Sequence, residues 1–108
     1  MALVEERLEL YPDDARALYM GANGLVALGE SAKGLEWARR ARAIAPDDAM
    51  LLYNLGCIYS LAGEIDEAID CLEKGVASGL TQKAWFEHDS NLDALRGDPR
   101  FKALMEKL

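Results

Sequence analysis

One histidine and two cysteines in 108 residues each remove a class of function, and only three prolines leave the chain free to form helix. Cys57 and Cys71 lack the short Cys/His spacing of a metal centre, so no zinc or iron–sulfur ligand set can be assembled from them. Free thiols are the expected state, as in a reducing cytoplasm. His88 stands between Glu87 and Asp89, but adjacent residues on a helix do not share a face, so the three read as a solvated tail segment rather than as metal ligands. There is no phosphate-binding glycine loop: Gly21-Ala22-Asn23-Gly24 lies inside a helical pattern and no Lys-Ser/Thr element follows. No nucleophile, base or metal set can be named, so neither an enzyme nor a cofactor is expected. Positive charge is also short. Twelve Lys and Arg against nineteen Asp and Glu give a net charge of -7, which disfavours phosphate backbones and hence nucleic acid. The cluster Arg39-Arg40-Arg42 is a weak anionic footprint and reads better as cations at the C-terminal end of a helix. No apolar run approaches the ~18 residues needed to cross a bilayer, so no membrane association is expected, and Glu5, Glu6 and Glu9 do not fit a signal peptide. Strand formers are few: three Val, four Ile and one Thr.

Leu and Ala are abundant, and their arrangement repeats. Shifted by 34 residues, the sequence matches itself: Pro12-Asp13-Asp14-Ala15 recurs as Pro46-Asp47-Asp48-Ala49, Leu18-Tyr19 as Leu52-Tyr53, and Gly29-Glu30 as Gly63-Glu64. A fixed period of this size marks a repeat architecture in which each unit buries its apolar face on the next. Each unit reads as two helices. Asp14 and Asp48 open the first helices, spanning about 14–28 and 48–62, because an acid suits the positive helix start. Gly29 and Gly63 occupy the left-handed stop. The second helices span about 31–45 and 65–78, and the short connections force an antiparallel pair. Ala22 faces Gly34 in the first unit and Gly56 faces Ala68 in the second. The glycine changes sides at constant summed volume, as a tight contact requires.

Leu52, Leu55, Gly56, Tyr59, Gly63, Ala68 and Leu72 occupy the signature spacing of the tetratricopeptide repeat, which the second unit resembles. It departs from that signature at Gly75 and Leu80. The first unit is a looser match through Leu18, Gly21, Ala22, Leu25, Gly34, Ala38, Ala41 and Pro46. The resemblance implies an all-α fold, a right-handed superhelical stack of antiparallel helix pairs. Its organisation would be a second helix of a truncated preceding repeat over 1–12, repeats over 13–46 and 47–80, and capping helices over 81–108. An orphan helix at 1–12 would expose an apolar face suited to a homodimer.

After Leu80 the period fails. Thr81 is expected to cap a short helix through Trp85 and Phe86, with Trp85 anchoring the cap. Ser90 with Asp93 forms a capping-box pattern opening a helix to Leu95, and Asp98-Pro99 starts a last helix carrying Phe101, Leu104, Met105 and Leu108. Residues 86–101 are similar to the closing segment of bacterial multidomain signalling proteins, in which a nucleotide cyclase, kinase or DNA-binding domain precedes a tetratricopeptide array. That likeness implies a bacterial regulator, such as an adenylate or guanylate cyclase, as the parent.

The family lines its concave groove with first helices. By position, the groove would present Arg16, Tyr19, Met20, Asn23, Val26 and Ala27 from the first unit, and Met50, Tyr53, Asn54, Cys57, Ser60 and Leu61 from the second. Tyr and Met give large, adaptable contact area, and Asn can hydrogen-bond an extended backbone. The same Tyr and Met residues could instead pack between units. The implied function is a protein-interaction module that holds a peptide or neighbouring domain; a structural oligomerisation segment is the alternative. A carboxylate-clamp groove would require lysines that are absent, with Arg16 its only cation.

Overall fold

The computed structural model of the chain describes residues 15–80 and 83–107. The helix expected over residues 1–12, the dimer face on it, the Asp13-Asp14 helix start and the Thr81 cap lie outside the described residues. All regular structure among the described residues is helical. It comprises α1 (Ala15–Ala27), α2 (Ser31–Ile44), α3 (Ala49–Leu61), α4 (Ile65–Ala77), α5 (Lys83–His88), a 3-10 helix (Ser90–Leu95) and α6 (Pro99–Glu106). None of these helices is long and apolar enough to cross a membrane. The chain divides into two compact units between Pro46 and Asp47, so residues 47–80 and the tail belong to one unit.

Helix ends fall within one residue of those read from the sequence, because the local stop signals are strong. Gly29 and Gly63 have φ of 88° and 81°. At each, the glycine N–H and the following Glu N–H turn back onto the helix: Gly29 to Val26 O and Glu30 to Leu25 O, Gly63 to Ser60 O and Glu64 to Tyr59 O. This is the Schellman arrangement, which satisfies carbonyls left open at the helix end. Gly79, at φ 114°, builds a third copy after α4, with Leu80 N–H donating to Gly75 O. The side chain of Leu80 is buried there.

Aspartates cap the helix starts, whereas Glu30 and Glu64, at the starts of α2 and α4, make no side-chain cap bond. Asp48 Oδ1 accepts from Leu51 N–H at 3.1 Å, and Asp98 accepts from Arg100 N–H at 2.8 Å with Pro99 at the first helical position. The capping box expected at Ser90 and Asp93 does not form. Asp89 is the cap, its Oδ1 accepting from Asn91 N–H at 2.9 Å, and the segment that follows is 3-10 rather than α. A carboxylate is the stronger acceptor for a helix-start N–H than the neighbouring hydroxyl. Asp93 serves elsewhere, accepting from Arg96 Nε at 2.8 Å.

In the first unit α1 buries Ala17, Leu18, Gly21, Ala22 and Leu25, and α2 buries Gly34, Leu35, Trp37, Ala38 and Ala41. Gly34 fits so closely that an added Cβ would lie 3.0 Å from the Ala22 carbonyl oxygen and 2.8 Å from Val26 Cγ2. In the second unit the mirrored contact holds: a Cβ on Gly56 would meet Leu72 Cδ2 at 2.7 Å and the Ala68 carbonyl at 3.4 Å. Gly75 at the far end of α4 lies against Leu52 and Ala49, so residue numbers run in opposite senses along α3 and α4 and the pair is antiparallel. Nine of the 13 residues of α3 are buried, because α4 covers one flank and the 3-10 helix another. A helix that is apolar nearly all round belongs in the interior.

The tail closes on this pair through Phe86, Leu92, Leu95, Phe101 and Leu104, all buried. Arg96 holds its turn, donating to the carbonyls of Phe86 and Asp89, each at 3.0 Å. Arg100 ties α6 to α4 through Glu73.

The close approach predicts that Gly56→Ala lowers unfolding stability by about 1–3 kcal/mol, since the new methyl presses on Leu72 inside a packed contact. Gly97→Ala, whose Cβ meets nothing within 4 Å, leaves stability within about 0.5 kcal/mol. Urea unfolding followed by circular dichroism measures both.

Candidate functional site

The helical repeat of α3 places Met50, Tyr53, Asn54 and Cys57 along one stripe. The tail brings α5 against that stripe. The Tyr53 ring is 5.3 Å from the Trp85 ring, tilted by 53°, and 5.5 Å from the Phe86 ring in an edge-to-face contact at 78°. Both are favourable aromatic geometries. The Tyr53 hydroxyl donates to Asp89 Oδ2 at 2.6 Å, and Cys57 Sγ lies 3.7 Å from the same oxygen. The other carboxylate oxygen of Asp89 caps the 3-10 helix, so one side chain both starts the tail's turn and fastens it to α3.

Burial and the Asp89 charge set the ionisation of this cluster. Burial pushes the Cys57 thiol up to about 12, and the negative Asp89 adds to the effect while the Tyr53 hydrogen bond opposes it. Burial, then donation to Asp89, likewise raises the Tyr53 phenol well above its ordinary value. Both groups are held neutral, which makes Cys57 a poor nucleophile.

Above the cluster lies an open cleft of about 440 Å³, lined by Met50, Tyr53, Asn54, Ala84, Trp85, His88 and Asp89. Met50 and Trp85 are 47% and 38% exposed, large apolar groups left in water on one concavity. Asn54 and Asp89 are half-buried, and the His88 side chain is 79% exposed beside Glu87.

The residues read as groove-lining are distributed as follows. On α1, Arg16, Met20, Asn23 and Ala27 are exposed along one stripe, while Tyr19 and Val26 are half-buried. On α3, Met50 and Leu61 are exposed and Asn54 is half-buried, whereas Tyr53, Cys57 and Ser60 are buried. The polar atoms of Tyr53 and Cys57 are turned to Asp89 of the same chain; of that set Met50, Tyr53 and Asn54 line the cleft, Met50 and Asn54 being the more exposed. Trp85, His88 and Asp89 were read from the sequence only as an anchor and a solvated tail. The available hint was Asp89 itself, an acid ahead of a helix start. No local pattern shows that its second oxygen reaches α3.

Among the described residues no group of His, Cys, Asp or Glu is arranged to hold a metal ion. No family model, curated protein or solved structure matches the chain.

Two outcomes follow from the cluster. Tyr53→Phe removes a hydrogen bond to a carboxylate and costs about 1–2 kcal/mol in urea unfolding, with the helical spectrum retained. Because the Cys57 and Tyr53 pKa values are raised on folding, their stabilisation is complete below pH 9 and is lost as pH climbs toward 12, where the unfolded chain releases these protons first. Stability measured from pH 8 to 11 therefore falls, and Tyr53→Phe/Cys57→Ser flattens the fall.

Proposed function

We propose that this chain is a non-catalytic helical-repeat module that binds a segment of another protein, with the cleft between α3 and α5 as a principal contact. The observation that carries the proposal is the exposure of Met50 and Trp85 around one open concavity, with the half-buried polar groups of Asn54 and Asp89 on its wall. Binding sites typically combine an apolar concave surface with a few fixed polar groups. Met adapts to different shapes, and Trp gives large contact area at low entropic cost. The buried Tyr53 and Phe86 with the half-buried Asp89 beneath would keep the cleft pre-formed, which favours affinity by reducing the ordering needed on binding.

On the same reading the helix pairs stack as a right-handed superhelix of the tetratricopeptide kind. The 34-residue sequence period, the matching glycine turns at Gly29 and Gly63, and the exchanged glycine of the Gly34 and Gly56 contacts support it. The tail sequence supports a place in a larger bacterial signalling protein, working in the cytoplasm.

The test is a peptide library displayed on phage and selected against the intact chain. Selected peptides should bind Met50→Ala/Trp85→Ala at least about ten-fold more weakly, as for residues at the centre of an interface. Circular dichroism should show the helical fold kept. Equal binding to the folded variant would remove the cleft from the proposal.

A further inference from the structure

We infer that the cleft takes a cationic side chain, arginine or lysine, from the partner segment; this rests on the cleft being the binding surface proposed above. Four observations converge on it. First, Asp89 brings a half-buried carboxylate to the cleft wall. Its oxygens accept from Asn91 N–H, the Tyr53 hydroxyl and the Cys57 thiol, and an ionised carboxylate, with about four lone-pair sites, can accept a further bond. Among the described residues no Lys or Arg pairs with that carboxylate. Arg96 reaches the same residue only at its backbone carbonyl and is otherwise engaged by Phe86 O and Asp93.

Second, the wall beside the carboxylate is aromatic. Trp85, partly exposed and backed by the buried Tyr53 ring, offers a π-system that attracts cations, and Trp is the strongest of the aromatic side chains in this respect. Third, the half-buried Asn54 adds an amide whose carbonyl can accept from a guanidinium or ammonium. Fourth, the unit over 47–108 carries twelve acidic and six basic residues, a field that draws cationic partners and slows the approach of anionic ones.

The competing occupants fare worse on the same chemistry. A wholly apolar side chain would cover Asp89 and leave a desolvated charge without a counter-ion. An acidic one would face Asp89 and the adjacent Glu87. His88 does not reverse this, because its imidazole is largely in solvent and lies 3.7 Å from Glu87. The long alkyl stem of Arg or Lys packs on Met50 and Trp85 while its head meets the carboxylate.

The experiment uses four capped tripeptides, leucine–X–leucine amides with X as arginine, lysine, norleucine or glutamate, titrated into the intact chain and followed by NMR shifts of Asn54, Trp85 and His88. The arginine and lysine peptides should bind about five-fold or more tighter than the norleucine one, with glutamate weakest. The preference should shrink at 0.5 M salt and disappear in Asp89→Asn, whose amide oxygen still accepts from Asn91 N–H and whose NH2 can donate to the Tyr53 hydroxyl oxygen. Norleucine or glutamate binding as well as arginine overturns the cationic inference and leaves the cleft as a binding surface. No shift at the three residues with any peptide overturns both. If Asp89→Asn does not fold, the arginine-to-norleucine ratio and its salt dependence in the unaltered chain decide.

Discussion

One carboxylate, Asp89, both starts the turn of the tail and bonds it to α3 in the C-terminal unit. One oxygen of Asp89 receives the Asn91 N–H and starts the 3-10 helix, and the other receives the Tyr53 hydroxyl from α3. Hydrogen bonds to an ionised acceptor are the strong kind, and these two act on elements that no short-range signal joins. Once Asp89 is fixed, Trp85 and Phe86 are held against the Tyr53 ring, and Arg96 locks the turn by collecting the carbonyls of Phe86 and Asp89. The cleft is a by-product of this closure: α5 lies near enough to α3 to bury Phe86 but leaves Trp85 and Met50 at the rim.

The helix pairs obey a different constraint, the distance between backbones. Gly34 and Gly56 leave no room for a methyl group, and each faces an Ala-bearing helix of its own pair, the Gly and Ala positions trading places between the copies. Such contacts are intolerant of volume, so the sequence records them twice with the small residue exchanged. This explains why the pairs could be read in advance. Helix starts at Asp48 and Asp98 and stops at Gly29 and Gly63 are local decisions, each made by one residue and its nearest backbone.

The site was much less legible. Tyr53 and Asp89 are separated by 36 positions, and the bond between them lies across a region where the repeat period has already failed. Periodicity placed Tyr53 on one stripe of α3 with Met50, Asn54 and Cys57 but could not say that the tail would cover it. The cap assigned to Ser90 belongs to Asp89, a shift of one residue that changes which side chain anchors the turn. Met50 and Asn54 were identified by their position on α3, whereas Trp85 and His88 enter the cleft only because the tail folds back. Local stereochemistry writes itself into short patterns; a long-range polar contact formed once does not.

The functional account depends on this folded-back tail, since without it there is no cleft and the buried stripe of α3 is bare. The most direct measurement is a set of proton–proton nuclear Overhauser effects between the Tyr53 ring and the rings of Trp85 and Phe86 in the intact chain at neutral pH. The account predicts strong contacts to both rings, together with a slowly exchanging Tyr53 hydroxyl proton. Absence of these contacts, with the α3–α4 pair otherwise folded, would contradict it.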